Sequence, residues 1–439
     1  MRKVLIFFIF SYPIITFSQT SKDTIFSQKL KEDREFTISL PESYGTNKTK
    51  KYPILLLLDG DYLFDPFHGA LKYGAYWDDI PEVIIVGISQ NQKDERYTDC
   101  GVDPESGLPD AKGELFYEFI SQELMPFLEK SYRIAPFKII AGHDVTAGFL
   151  NFYLYKDQLL FNAYISLSPK FPVSMEETIP ERLAALNQPL FYYQATAGGD
   201  LKSNKDRIIQ LDSLASEIKK PNLFYHFDNF PNASHYSLVL HAIPNALYHI
   251  FGIYQPISIN EYNEKIAVLP SGYVDYLNKK YETIEKLLAL KTRIRFNDFK
   301  AIEAAIIKNK AYDEFGELSN LAEKQYPKSM LGNYELALMY EYTGEFLKAR
   351  KYYQAAYERE EIGNLTQNLM YDKMEEMKNA KTPVQPAPSD SKSYAFSSSP
   401  YFSLPENSWS IAFSEFFTIS LASGSLSCCD WKSNIFWIA

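Results

Sequence analysis

Asp144, Asp200 and His235 follow one another along the chain in an order that suits hydrolytic chemistry: a residue on a sharp turn, an orienting carboxylate, then a base. Asp144 sits in KIIAGHDVTAGF, residues 138–149. A short apolar run, Ile139 to Ala141, stops at Gly142, and an apolar, aromatic segment, FLNFYLY, begins after Gly148. The pattern is strand, sharp turn, helix, with His143, Asp144 and Val145 in the bend. In a nucleophile elbow, G-x-S-x-G, the central side chain stands above the sheet in a strained turn, and small residues two before and two after let strand and helix approach. Gly142 fills the first small position. Thr146 is a poor fit to the second, and Asp144 stands where the serine belongs.

The other two residues fall where that chemistry needs them. Asp200, in TAGGD, follows a strand-like run over Leu190–Thr196, and His235, in FPNASHYSLVLHAIP, lies between the last strand and the last helix. Asp206 and Asp212 are alternative acids, but their helical setting favours solvated roles. His143 reads as a buried, hydrogen-bonded neighbour of the elbow, and His68, His226, His241 and His249 as structural histidines. Ser168, before Pro169, reads as a turn residue, and Ser237 as a helix cap. An oxyanion site would use the backbone N–H of Val145 and one from the loop near Asp61 or Tyr62. Asp61 and Asp144 facing one pocket would oppose a developing oxyanion.

The elements that must carry these residues alternate. Lys29–Pro41 alternates apolar and polar residues like an edge strand. Tyr52–Leu58 (YPILLLL) and Val83–Ile88 are continuous apolar runs, as buried parallel strands are. Asp59-Gly60-Asp61 is a turn. Gly113–Lys130 has helical spacing, as do Arg207–Lys219 and Leu238–Phe251, and further strands read at Asn162–Leu167, Leu190–Thr196 and Leu223–Phe227. Strands alternating with helices predict a mostly parallel α/β sheet with both faces covered.

Past Pro256 the strands stop. Helices are predicted over Tyr273–Leu290, Phe299–Lys310 and Tyr312–Gln325, followed by a pair over Asn333–Glu358. In that pair Leu336, Ala337, Tyr340, Gly344, Ala349, Tyr353 and Ala356 follow the spacing of one tetratricopeptide unit. A single repeat cannot bury its own face, so it must pack on its neighbours; it reads equally as a protein-binding module or as a cover for the α/β part.

At 439 residues, 46% apolar and 23% charged, the chain can bury a large core and suits roughly two domains. Its 45 basic against 55 acidic residues argue against nucleic acid or an anionic membrane as partner. Thirty-three Tyr and 31 Phe suit a thick aromatic core. Residues 1–19 have the basic start, apolar stretch and small residue of an export signal, too short for a transmembrane segment. The expected location is periplasmic or extracellular. Cys100, Cys428 and Cys429 make no disulfide framework, and without CxxC or HExxH no metal or cofactor is expected. The expected layout is 1–19 signal, 20–256 α/β domain, 257–380 TPR-like all-α domain, and 381–439 a Pro/Ser-rich, disordered tail.

From YPILLLLDGDYLF through IPEVIIVGISQNQKDERYTD, ELMPFLEKSYRI, KIIAGHDVTAGF, LSPKF and NASHYSLVL, residues 30 to 255 resemble the esterase family of enterochelin esterases, S-formylglutathione hydrolases and feruloyl or acetyl-xylan esterases. The resemblance implies an α/β-hydrolase fold and cleavage of carboxylic esters by a Ser–His–Asp triad, acting on a siderophore, acylated sugar or similar small ligand. His235 matches the catalytic histidine, Asp200 the acid and Asp144 the nucleophile. The family's G-H-S-x-G-G is here Gly142-His143-Asp144-Val145-Thr146-Ala147, changed at Asp144, Thr146 and Ala147. Three readings follow: an ester hydrolase using another nucleophile or water, an inactive esterase-like binding or assembly protein, and an Asp-nucleophile hydrolase. The last resembles haloalkane dehalogenases and epoxide hydrolases at G-H-D only, since Val145-Thr146 replace their Trp-Gly. Whether Asp200 reaches His235 in space separates the catalytic readings from the binding one.

Overall fold

The computed structural model describes residues 20–380; the expected export signal, the tail, Cys428 and Cys429 lie outside them. β1 (Thr20–Ser27) and β2 (Glu32–Ser39) form an antiparallel hairpin. The single strand expected over Lys29–Pro41 is therefore shortened, because residues 28–31 turn, with Lys31 at φ 60°. Then come β3 (Tyr52–Leu57), α1 (Gly60–Tyr76), β4 (Ile84–Ile88), α2 (Glu95–Asp99) and α3 (Ala111–Glu118). A π-helical turn, Phe119–Leu124, joins α3 to α4 (Met125–Ser131), within the stretch expected as one regular helix. β5 (Ile134–His143), α5 (Val145–Phe149), β6 (Ala163–Leu167), α6 (Met175–Ala185), β7 (Leu190–Ala197), α7 (Lys202–Ala215), β8 (Leu223–Phe230) and α8 (Leu238–Phe251) complete the α/β part.

The eight strands lie in the order β1-β2-β4-β3-β5-β6-β7-β8, parallel from β4 to β8, with β1 and β2 antiparallel. This is an α/β-hydrolase-like sheet with helices on both faces. Every residue of β3, β4 and β6 is buried, as continuous apolar strands at the centre of a parallel sheet must be. Leu55, Leu57, Ile139 and Ile165 pack on one face with α1 and α8; Ile54, Leu56, Ile140 and Tyr164 pack on the other with α3, α4 and α7.

The remaining helices are α9 (Ile259–Glu261), α10 (Tyr273–Leu288), α11 (Phe296–Asn309), α12 (Phe315–Gln325), α13 (Leu331–Tyr342), α14 (Phe346–Tyr357) and α15 (Gln367–Asn379). α12 to α15 pack consecutively, with Ala337, Ala349, Tyr353 and Ala356 buried and Gly344 at φ 79° in the α13–α14 turn. All described residues fall in one compact unit, and the apolar face of α1 and α8 is continuous with the core of the helical region. Polar contacts reinforce the join. Arg295, just before α11, bonds the Asp78 carboxylate through Nε and the Asp78 carbonyl through Nη2 at 3.2 Å, and Tyr254 donates to Asp78 Oδ1 at 2.8 Å. The residues that follow α1 are thus gripped by the helical region, while the start of α1 opens onto Asp59. Among the described residues no helix is long and apolar enough to cross a membrane.

The start of α1 lies almost against β4. A Cβ on Gly60 would meet the Gly87 carbonyl carbon at 2.4 Å, and backbone cannot give way as a flexible side chain does. Gly60→Ala is expected to destabilise the protein by about 3 kcal/mol, as an overpacked core site does, measured by urea unfolding.

Candidate active site

The turn between β5 and α5 has the torsions of an elbow. Asp144 lies at φ 59°, ψ −115°, a region costly for any residue with a Cβ. It is held there by its backbone: Asp144 N–H donates to Leu167 O at 3.0 Å, and Asp144 O accepts from Lys170 N at 3.0 Å and Gly148 N at 3.1 Å. Gly142 is required, since a Cβ there would lie 2.8 Å from Thr146 Oγ1. The expected misfit of Thr146 does not arise, because its hydroxyl has partners. Thr146 Oγ1 accepts from His143 N at 2.9 Å and donates to Asp59 Oδ2 at 2.7 Å. α5 is one short turn, and FLNFYLY continues mainly as a 3-10 helix over Leu150–Tyr155.

Asp200 and His235 meet across the ends of β7 and β8. His235 Nδ1 lies 2.7 Å from Asp200 Oδ1. The remaining capacity of the carboxylate is filled by Ser168 Oγ at 2.7–2.8 Å, Thr196 Oγ1 at 2.8 Å and Ala197 N at 2.7 Å. Burial alone would raise the Asp200 pKa, but the bonds from His235, Ala197, Ser168 and Thr196 outweigh it and bring it down to about 2. The same bond raises His235 above the imidazole's ordinary 6.5 despite partial burial. No hydrogen bond to His235 Nε2 is found among the described residues, and the Asp144 charge further favours the protonated form of the ring. Ser168 is fully committed to Asp200, and Ser237 to Ser234, so neither replaces the missing serine.

Beneath the elbow lies a cluster centred on Asp59 and Arg96, two residues to which the sequence pattern gives no role at the site. Asp59, wholly buried and in a left-handed conformation at φ 55°, receives Arg96 Nε at 2.9 Å on one oxygen and Arg96 Nη2 at 3.0 Å on the other. Asn91, Tyr62 and Thr146 also bond to it. Arg96 Nη2 reaches His143 O at 3.1 Å, and Arg96 Nη1 stands 3.7 Å from Asp144 Oδ2. The only sequence signal for this was the D-G-D turn followed by E-R-Y-T-D. His143 is buried; its Nε2–H donates to His235 O at 3.1 Å, which leaves Nδ1 unprotonated 3.0 Å from the Tyr62 hydroxyl, whose single hydrogen is shared between this nitrogen and Asp59 Oδ2 as alternative acceptors. Burial first, then the field of His235, lowers its pKa to about 4, so it stays neutral and positions the His235 loop. His68, His226, His241 and His249 lie away from the elbow; His68 touches Ser39 and His249 bonds Phe224 O.

Of the expected oxyanion donors, Val145 N opens α5 and Asp61 N lies in the first turn of α1, positions without an intrahelical acceptor. Tyr62 is a correction: its N–H donates to Asp59 O at 3.2 Å within the turn, and it serves the site through its hydroxyl instead. The Asp61 carboxylate is turned to the neighbouring loop, taking Gln90 N at 2.7 Å and Asn91 N at 3.1 Å. Among the described residues no group of His, Cys, Asp or Glu is arranged to hold a metal. A cavity of about 470 Å³ lined by Tyr117, Lys138, Tyr153 and Lys156 contains none of these residues.

The profile of the family described as "Putative esterase" matches residues 27–174. A protein of Capnocytophaga ochracea with a known crystal structure is 30% identical, with a TM-score of 0.74 over 82% of this chain and 100% of its own. That span reaches well into the helical region. An IroE-like serine hydrolase from Shewanella oneidensis is 21% identical, with a TM-score of 0.52 over 70% of this chain and 98% of its own, a likeness of fold. No curated protein matches.

Two outcomes follow from this geometry. Asp59→Asn leaves the Arg96 guanidinium buried against a neutral partner and is expected to cost about 3 kcal/mol in urea unfolding. At position 144 the usual order of glycine and alanine should invert: Asp144→Gly is expected to be more stable than Asp144→Ala by about 1 kcal/mol, because only glycine takes these torsions without strain. Equal stabilities would mean that the elbow is not strained.

Proposed function

This chain belongs to the esterase family, and we propose that it is an exported hydrolase of carboxylic esters in which His235 activates a water in place of a seryl oxygen. The observation that carries this reading is the complete His235–Asp200 pair beside an elbow that keeps its strained torsions. A histidine kept only for packing would not need an acid with every oxygen position filled.

In this mechanism His235, held in one tautomer by Asp200, presents the Nε2 lone pair to a water near Asp144. The Asp144 carboxylate accepts the water's other hydrogen and aims its oxygen. The water attacks the ester carbonyl carbon as its proton moves to His235 Nε2. The carbonyl oxygen becomes an oxyanion facing Val145 N–H and Asp61 N–H. Collapse breaks the bond to the alcohol, which leaves with the proton from His235, and the acid is released. Arg96 offsets part of the Asp144 charge that opposes the oxyanion.

The elbow torsions also favour a second route, attack by Asp144 itself on an alkyl carbon, giving an enzyme ester that a His235-activated water then opens. Single-turnover hydrolysis in oxygen-18 water separates them: direct water attack labels the released acid, whereas the covalent route labels Asp144.

The first assay is hydrolysis of p-nitrophenyl acetate by the parent, His235→Ala and Asp144→Ser. The parent is expected to be active and His235→Ala at least about 10²-fold slower. A silent parent with an active Asp144→Ser would instead mark a binding protein. The base must be neutral to work, and its pKa is raised in the folded protein. kcat/KM is therefore expected to fall as pH drops through a midpoint above 6.5, and Asp200→Asn, lacking the anion, should move that midpoint down.

A further inference from the structure

An elbow built on serine is neutral; this one carries a charge that its surroundings do not cancel. A fifth of the Asp144 side chain is open to solvent, at 20%. Its nearby cation, Arg96 Nη1 at 3.7 Å, belongs to a guanidinium already joined to Asp59 by two shorter bonds. The charged side chains acting most strongly on Tyr62 and His235 are Asp59, Asp144, Asp200 and Arg96. Three carboxylates thus face one guanidinium, and even a protonated His235 leaves the group negative. The exposed Asp61 side chain adds to the same sign.

The surface around that charge is aromatic. The rings of Tyr62, His143, His235 and Tyr236 form a continuous row, with successive centroids 5.9, 4.5 and 5.2 Å apart. Both ends are open, Tyr62 at 39% and Tyr236 at 79% exposure. Tyr97, also exposed, lies against Arg96 at 5.3 Å. Ring faces attract cations through their quadrupole, most effectively cations that are weakly hydrated. A carboxylate adjacent in the chain to His143, with its charge felt at Tyr62 and His235, repels anionic ligands and favours an organic ammonium group, whose apolar shell suits the rings and whose charge suits Asp144.

We propose that the elbow and its aromatic row form a subsite for an alkylammonium group, so that the esters taken by this protein carry a cation close to the scissile bond. Asp144 attracts the ammonium through its field, and Tyr62 and Tyr236 provide the ring faces. The inference rests on the ester-hydrolysis reading for the chemistry and deepens it by naming the substrate class.

The test compares acetylthiocholine with S-(3,3-dimethylbutyl) thioacetate, its neutral isostere with carbon in place of nitrogen, on the full chain. kcat/KM is expected to be at least about tenfold higher for the cation, equivalent to about 1.4 kcal/mol. The ratio should approach one in Asp144→Asn and fall several-fold in Tyr236→Ala, whose exposed ring can be lost without disturbing the core. Equal rates in the parent, or a preference that survives Asp144→Asn, would overturn the proposal. Binding is read separately by saturation-transfer NMR with tetramethylammonium and with neutral 3,3-dimethylbutanol, which also serves where a variant no longer turns over. Ammonium-selective binding that Asp144→Asn removes, without turnover in the parent, sinks the hydrolytic reading and keeps the cation subsite. Turnover of both esters without charge preference does the reverse. Neither turnover nor selective binding sinks both.

Discussion

A single buried carboxylate, Asp59, ties together the parts of this site. It lies at the end of β3, has no exposure to water, and takes Arg96 in a two-pronged ion pair. A charge in that position is tolerated only when paired and fully hydrogen-bonded, and the pairing in turn dictates the positions of its partners. Thr146 brings the start of α5, Tyr62 the first turn of α1, Asn91 the loop after β4 and Arg96 the helix α2. Gln90 extends the network, accepting from Asp59 N and donating to Asp99, which pairs with the buried Arg34 of β2. The elbow is therefore fixed from below by polar bonds as well as from the sides by packing.

That arrangement gives the substitution at Asp144 its physical meaning. A residue with a Cβ at φ 59°, ψ −115° is strained, and strain persists only where the surroundings leave no alternative. Here the turn is held by Leu167 and Lys170 through the backbone and by Thr146 from below. The backbone consequently fixes the direction in which the side chain at position 144 leaves the turn, whatever its type. With a carboxylate there, the site exchanges a weak neutral nucleophile for a fixed charge, which changes both what can attack and what can be attracted. The His235–Asp200 pair is unaffected by that exchange, because its contacts come from β6, β7 and their loops.

The helical region bears on the same site through α1. That helix begins beside Asp59 and ends at the residues held by Arg295 and Tyr254, while its apolar face shares a core with α8 and the helices that follow. A rod fixed at both ends keeps its first turn, and with it Asp61 N and Tyr62, in register with the elbow. The helical region thus contributes to the position of the site without supplying a side chain to it.

Much of this was legible in the chain because periodicity and chain order are local properties. The buried runs at Tyr52–Leu58 and Val83–Ile88, the Gly142 turn, and the positions of Asp200 and His235 after their strands follow from apolar patterning and small-residue placement. The α1 helix was missed because its start, Asp59-Gly60-Asp61, reads as a turn, and the β1–β2 hairpin because a turn at residues 28–31 interrupts the alternation. Thr146 reads as oversized in one dimension and fits in three, since its hydroxyl finds a carboxylate 87 positions earlier. Arg96 carried no periodic signal at all. The types and order of the candidate site residues are properties of the sequence itself. The tertiary structure alone decided which buried charges are paired, because Coulomb and hydrogen-bond energies depend on separations of a few ångströms between residues far apart in the chain.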